Sequence, residues 1–149
     1  YEIRSSDWSS DVCSSDLDEI RPGNFVYYDL MKYQLGACRL PDIAVSIACP
    51  VCGIYPERNE VIVYGGAVHL SKEFLDMEGR NYGLVVRYRD QAPIQAVPGA
   101  RVVALSQEHG TIHANNKLIE SLSHGDILGI IPVHSCLAAN LLRDHFMIV

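Results

Sequence analysis

Apolar positions fall in short bursts, and clusters of Gly, Pro, Asn and Asp part them. Arg-Pro-Gly at 21–23 is a turn signal, and Asn24-Phe-Val-Tyr-Tyr28 has the aromatic and β-branched content of a strand. Asp29 to Leu35 predicts one short helical turn, closed by Gly36. Ile43 to Ile54 is a long apolar run that Pro50 interrupts, which predicts an edge strand, a bulged strand or two strands. Pro56-Glu-Arg-Asn59 then reads as a hairpin turn, Val61-Ile-Val-Tyr64 as the return strand, and Gly65-Gly66 as its break. Further strands are predicted over Tyr82–Tyr88 and, after a Pro98-Gly99 turn, over Ala100–Leu105, with Gly110–His113 as a pairing partner. Ser123-His-Gly-Asp126 is a turn before a strand over Ile127–Val133, and His145-Phe-Met-Ile-Val149 is strand-like. There is no G-x-G-x-x-G or P-loop pattern and no alternation of strands with helices. The expected fold is mainly β, an antiparallel barrel or sandwich with one or two short helices.

The first seventeen residues do not fit this pattern. Ser-Ser-Asp recurs at 5–7, 9–11 and 14–16, and the single tryptophan, Trp8, lies among these repeats. One reading is a low-complexity disordered tail. Back-translation gives a sharper one: Asp11–Leu17 fits the end of a short-read sequencing adapter, so residues 1–17 are expected to be non-native and the domain to occupy residues 18–149. Removing the tail halves the formal net charge of −6, leaving 11 basic and 14 acidic residues. That near-neutral balance lacks the basic stripe of a nucleic-acid binder. No apolar run approaches the roughly 20 residues of a membrane span.

Several residues could carry chemistry. His134-Ser-Cys136 follows the Ile127–Val133 strand. If extension continues, residues i and i+2 point to one side and bring an imidazole and a thiolate together, half a zinc site. The bland alternative is a strand-end histidine and a small buried cysteine. Cys49-Pro-Val-Cys52 has redox or half-zinc spacing, but its strand-like flanks favour buried free thiols in a reducing compartment. Glu108-His109-Gly110 could supply a general base or a supporting partner, though the residues alone favour a polar hairpin turn with Gly110 at positive φ. His69, His113, His124 and His145 are scattered, and Lys32, Lys72 and Lys117 have no Schiff-base context.

Six stretches, in order, carry a resemblance over nearly all of 18–149. They are Glu19-Ile-Arg-Pro-Gly23, Tyr28-Asp-Leu-Met31 with Gly36-Ala-Cys38, Gly65-Gly-Ala-Val-His-Leu-Ser-Lys72, Leu105-Ser-Gln-Glu-His-Gly110, Gly125-Asp126 and Pro132-Val-His-Ser-Cys136. Together they resemble the C-terminal domain of the D-serine dehydratase-like pyridoxal-phosphate enzymes. These are of alanine-racemase type (fold type III), alongside low-specificity D-threonine aldolases. The resemblance implies zinc at His134 and Cys136, and a proton-handling or supporting role for Glu108 and His109. It implies a cytoplasmic homodimeric lyase acting on a D-hydroxyamino acid. It also implies a TIM-type barrel, not contained in 18–149, that holds pyridoxal phosphate and its lysine, so the fragment alone is expected to be inactive. Two departures stand out. Tyr64-Gly65-Gly66 replaces an acidic residue before Gly-Ala, which puts the substrate in doubt. Cys136 replaces the aspartate that the aldolases favour, which points to the dehydratase-like, zinc-using branch. The alternatives are an aldolase or racemase-like relative and a non-catalytic β-domain for folding or dimerisation.

Overall fold

The computed structural model describes residues 23–76, 79–88 and 95–144. Eight strands lie among them: β1 (Ile47–Tyr55), β2 (Glu60–Tyr64), β3 (Leu75–Asp76), β4 (Arg80–Asn81), β5 (Gly83–Arg87), β6 (Gln95–Leu105), β7 (His109–His113) and β8 (Ile127–Pro132). Six of them close an antiparallel barrel in the order β1-β2-β7-β6-β5-β8, while β3 and β4 form a separate two-stranded ribbon. Four short helices accompany the strands: α1 (Leu30–Gln34), α2 (Ala67–Leu70), α3 (Asn116–Ile119) and α4 (Ser135–Leu141). The expected mainly-β class therefore holds, as a barrel.

Strand alternation explains the closure. In β1, β2 and β7, alternate residues such as Cys49, Val51, Val61, Val63 and Ile112 are buried, and the residues between them face outward. Val85, Val102, Leu128 and Ile130 complete the interior at 1% exposure or less. β8 departs from alternation, being buried at every position after Ile127. Its second face is covered by a smaller cluster in which Ile131 meets Leu30 and Ile43. A strand covered on both faces reads as a continuous apolar run.

The structure corrects several sequence expectations. Residues 24–28 form no strand. Tyr28 turns to φ 53°, and Phe25, Val26 and Tyr27 remain exposed. Aromatic content favours a pleated surface only where a neighbouring strand is present to pair with it. Residues 47–55 make one bulged strand: Pro50 lies opposite Ile127, and the register against β2 shifts between Val51 and Gly53. Pro98-Gly99 is not a turn between strands but lies inside β6. There the pairing with β5 jumps from Leu84–Arg101 to Val86–Ala96, and Gly99 takes φ 73°. The extra residues form a bulge that bends the strand around the barrel. The Pro56–Arg58 turn, with Asn59 at φ 55°, is as expected. The tail at 1–17 and the segment His145–Val149 lie outside the described residues.

Register decides which loops meet. Tyr64 lies opposite His109, Leu105 opposite Gly110, and Gly83 opposite Pro132. Alternating strand direction therefore gathers the β2–α2, β6–β7 and β8–α4 connections at one end of the barrel. The helix α3 follows β7 at the other end.

Candidate metal centre at one end of the barrel

β8 stops at Pro132 and the chain turns into a helix. His134 keeps extended backbone, φ −132° and ψ 105°, as the residue before α4, so Cys136 is the second helical residue. This corrects the expected geometry. Extension does not continue through Ser135, so period-2 alternation does not place His134 and Cys136 on one side. The two side chains instead flank a strand-to-helix junction. His134 is partly buried and Cys136 is exposed as a free thiol.

A buried carboxylate pins this junction. Asp29, 1% exposed, accepts the Lys32 backbone N–H at 2.9 Å and so caps α1. Its second oxygen accepts the Ser135 backbone N–H at 3.0 Å, across 106 residues of chain. The Asn24 side-chain amide also donates to that oxygen. The Met31 N–H donates to the Val133 carbonyl at 3.2 Å. One carboxylate thus ties together the starts of two helices, where the first N–H groups have no partner within the helix. The turn carrying His134 is fixed from beneath.

The imidazole is held from the side. His134 Nδ1 lies 2.9 Å from Glu73 Oε2. Glu73 follows α2, whose last turn ends at Ser71 with φ 68°. No grouping of three or more His, Cys, Asp or Glu side chains arranged for a metal occurs among the described residues. His134 and Cys136 thus offer two donors, nitrogen and sulfur, of the kinds zinc accepts.

Glu108 and His109 occupy the β6–β7 turn, both exposed. The turn itself is backbone-bound: Ser106 N–H donates to the His109 carbonyl at 2.8 Å. Its carbonyls cap α2, with Ala67 N–H donating to Ser106 and Val68 N–H to Gln107. Gly66 is required at this contact, because a Cβ there would meet the backbone of Glu108 and His109 at 2.5 Å. Gly110 likewise serves a close approach, 2.6 Å from a Cβ to the Gly65 carbonyl, and not the positive φ expected. No hydrogen bond or ion pair joins Glu108 or His109 to His134 among the described residues. They sit instead beside Tyr64 and His69, with ring centroids 5.8 Å (Tyr64–His109) and 4.9 Å (Tyr64–His69) apart. Burial pushes the His69 imidazole below the ordinary histidine value; Glu108 opposes this and His109 adds to it. His69 Nδ1 accepts the Gly66 N–H at 3.2 Å.

The Cys49-Pro-Val-Cys52 spacing resolves into opposite faces. Cys49 is buried inside the barrel, where burial pushes its thiol up to about 12. Cys52 is exposed, correcting the expectation of two buried thiols. Residues three apart on a strand point to opposite sides, so the pair cannot share a ligand.

Sequence comparison places these features in a lineage. Residues 44–148 match the family described as "Putative serine dehydratase domain". The chain belongs to that family. It is 38% identical over 141 residues to the D-serine dehydratase of Dictyostelium discoideum, covering 89% of this chain and 33% of that protein. It is 26% identical over 136 residues to the D-threo-3-hydroxyaspartate dehydratase of Delftia sp., covering 84% of this chain and 35% of that protein. Among solved structures, an alanine racemase-like protein of Idiomarina loihiensis superposes with a TM-score of 0.74 at 30% identity, over 85% of this chain and 34% of that one. The chain spans about a third of the length of these relatives. Asp29 and Glu73 went unnoticed as parts of the site in the sequence. Asp29 stands out in the sequence as the start of a predicted helix and as part of the Tyr28–Met31 stretch, without a partner, and no spacing rule links Glu73 to a histidine 61 residues away.

Proposed function

We propose that this chain is the C-terminal β-domain of a zinc- and pyridoxal-phosphate-dependent lyase that eliminates water from a D-hydroxyamino acid, with D-serine as the first candidate. The carrying observation is the His134–Cys136 junction, where two donors of zinc-accepting type stand at a helix start pinned by Asp29. The curated relatives are dehydratases, which favours elimination over aldol cleavage or racemisation.

In such an elimination the Cα proton is removed, the Cβ–O bond breaks, and hydroxide leaves as water after gaining a proton. Hydroxide is a poor leaving group, and zinc bound at His134 and Cys136 would supply Lewis-acid polarisation of the β-hydroxyl. The protein's own part is to hold an imidazole nitrogen and a thiolate at a fixed turn. Pyridoxal phosphate would supply the electron sink for the Cα carbanion. We assign its binding to the other two thirds of the relatives' length, read as a TIM-type barrel. The 149-residue chain alone is accordingly read as inactive. Glu108 and His109, beside Tyr64, are assigned to the substrate-facing end as secondary proton-handling groups. The working enzyme is read as a cytoplasmic homodimer.

The test is metal analysis and D-serine, D-threonine and D-threo-3-hydroxyaspartate assays on the full-length protein. His134→Ala and Cys136→Ala are each expected to lose bound zinc and elimination activity. Zinc content and activity that survive His134→Ala would overturn the assignment.

A further inference from the structure

Glu73 reaches the candidate metal centre from a different part of the chain than either donor. It follows the left-handed Ser71 that ends α2, and its backbone N–H lies 3.4 Å from Ser71 Oγ. Its carboxylate meets His134 Nδ1 at 2.9 Å, with the two side chains 44% and 31% exposed. An ionised carboxylate can only accept hydrogen bonds, so the proton lies on Nδ1. In a neutral imidazole that leaves the Nε2 lone pair as the ligand. A ring nitrogen held by a carboxylate also fixes the ring's rotation about its χ angles and raises the basicity of the opposite nitrogen.

We propose that Glu73 is a positioning residue for the metal: by accepting the Nδ1–H of His134 it selects the tautomer, and the ring orientation, that present Nε2 to zinc. This rests on the reading of His134 as a metal ligand, and adds to it a carboxylate that touches neither metal nor substrate. No other described side chain bonds the His134 ring, so Glu73 alone sets this preference among the described residues.

Binding is read directly, apart from turnover. Zinc affinity would be measured by chelator competition on the full-length protein, with cobalt(II) absorption as a report of the ligand set and thermal unfolding of the metal-free form as a check on folding. Glu73→Ala is expected to bind zinc roughly 10–100-fold more weakly, the usual cost of losing a carboxylate behind a ligating histidine. Its metal-free unfolding temperature should change little, because the pair it removes is partly exposed to solvent. Glu73→Gln keeps an acceptor for Nδ1–H and is expected to restore most of the affinity. Should Glu73→Ala fail to fold, Glu73→Leu keeps the bulk of the side chain without an oxygen acceptor; it is expected to show the same loss, and wild-type zinc affinity in it would overturn the proposal. Wild-type zinc affinity and an unchanged cobalt spectrum in Glu73→Ala would overturn the proposal. So would equal losses in Glu73→Ala and Glu73→Gln, which would assign the effect to charge alone. Zinc retained in His134→Ala would instead overturn the metal assignment itself, so the two failures are distinct.

Discussion

The two ends of the barrel are built differently. At the end carrying His134, contacts cross long stretches of sequence: Asp29 to Ser135, Glu73 to His134, and the β6–β7 turn to the start of α2. At the far end, the longer bonds end on backbone carbonyls, Ala114 N–H on Asn59 at 2.9 Å and the Asn115 side-chain amide on Pro98 at 3.0 Å, and local contacts accompany them. Asn115 caps α3 through the Leu118 N–H at 2.9 Å, Asn59 completes a four-residue turn, and Arg58 stacks on Tyr55 at 4.3 Å. A side-chain carboxylate shared between distant segments fixes the turn it serves, and one substitution removes it. Backbone bonds and short caps close the other end. One end is thus suited to holding donors in a set geometry, and the other to finishing the fold.

The strongest test of that contrast is Asp29→Ala. It strands two backbone N–H groups, from Lys32 and Ser135, near a fully buried side chain. A cost of about 3 kcal/mol is expected in urea unfolding, with weakened zinc retention, since each unsatisfied buried donor costs about 1–3 kcal/mol. Gly66→Ala comes next: the added methyl meets backbone, not a yielding side chain, and a loss of about 2 kcal/mol is expected from overpacking. Its effect should reach the β6–β7 turn, and so shift the amide resonances of Glu108 and His109. Asn115→Ala at the far end should cost about 1 kcal/mol, as lost N-caps do, and leave zinc affinity unchanged. A matching loss of zinc affinity there would break the distinction between the ends. The smallest effect is chemical. An alkylating reagent near pH 8 should label exposed Cys52 and Cys136 and spare Cys49, whose thiol is pushed up to about 12 and so stays protonated. Added zinc should protect Cys136 and not Cys52.

Much of the fold was legible because β-branched and aromatic runs between turn residues mark strands. Val61–Tyr64 and Gly110–His113 were placed as strands with their pairing partners, as the structure has them. The errors arise where the backbone departs from period 2. Pro98-Gly99 has the composition of a turn, yet the barrel absorbs it as a bulge in β6, because bending a closing strand needs the same conformations as ending one. His134 and Cys136 were found by residue type, but their geometry was not, since nothing in Val133-His134-Ser135 marks the change from extended to helical backbone. Asp29 and Glu73 carry signals only in three dimensions. A lone Asp before a helix looks like any cap until its second oxygen is seen to serve a distant chain segment.

The closed hydrogen-bond circuit from β1 through β8 has one more consequence. A sheet that returns to itself presents no row of free N–H and C=O groups along its side. Strand addition by a neighbouring molecule, the usual entry to fibril growth, therefore has no template on the barrel wall. A companion that meets the barrel wall does so through side chains, and so through shapes that can discriminate one companion from another.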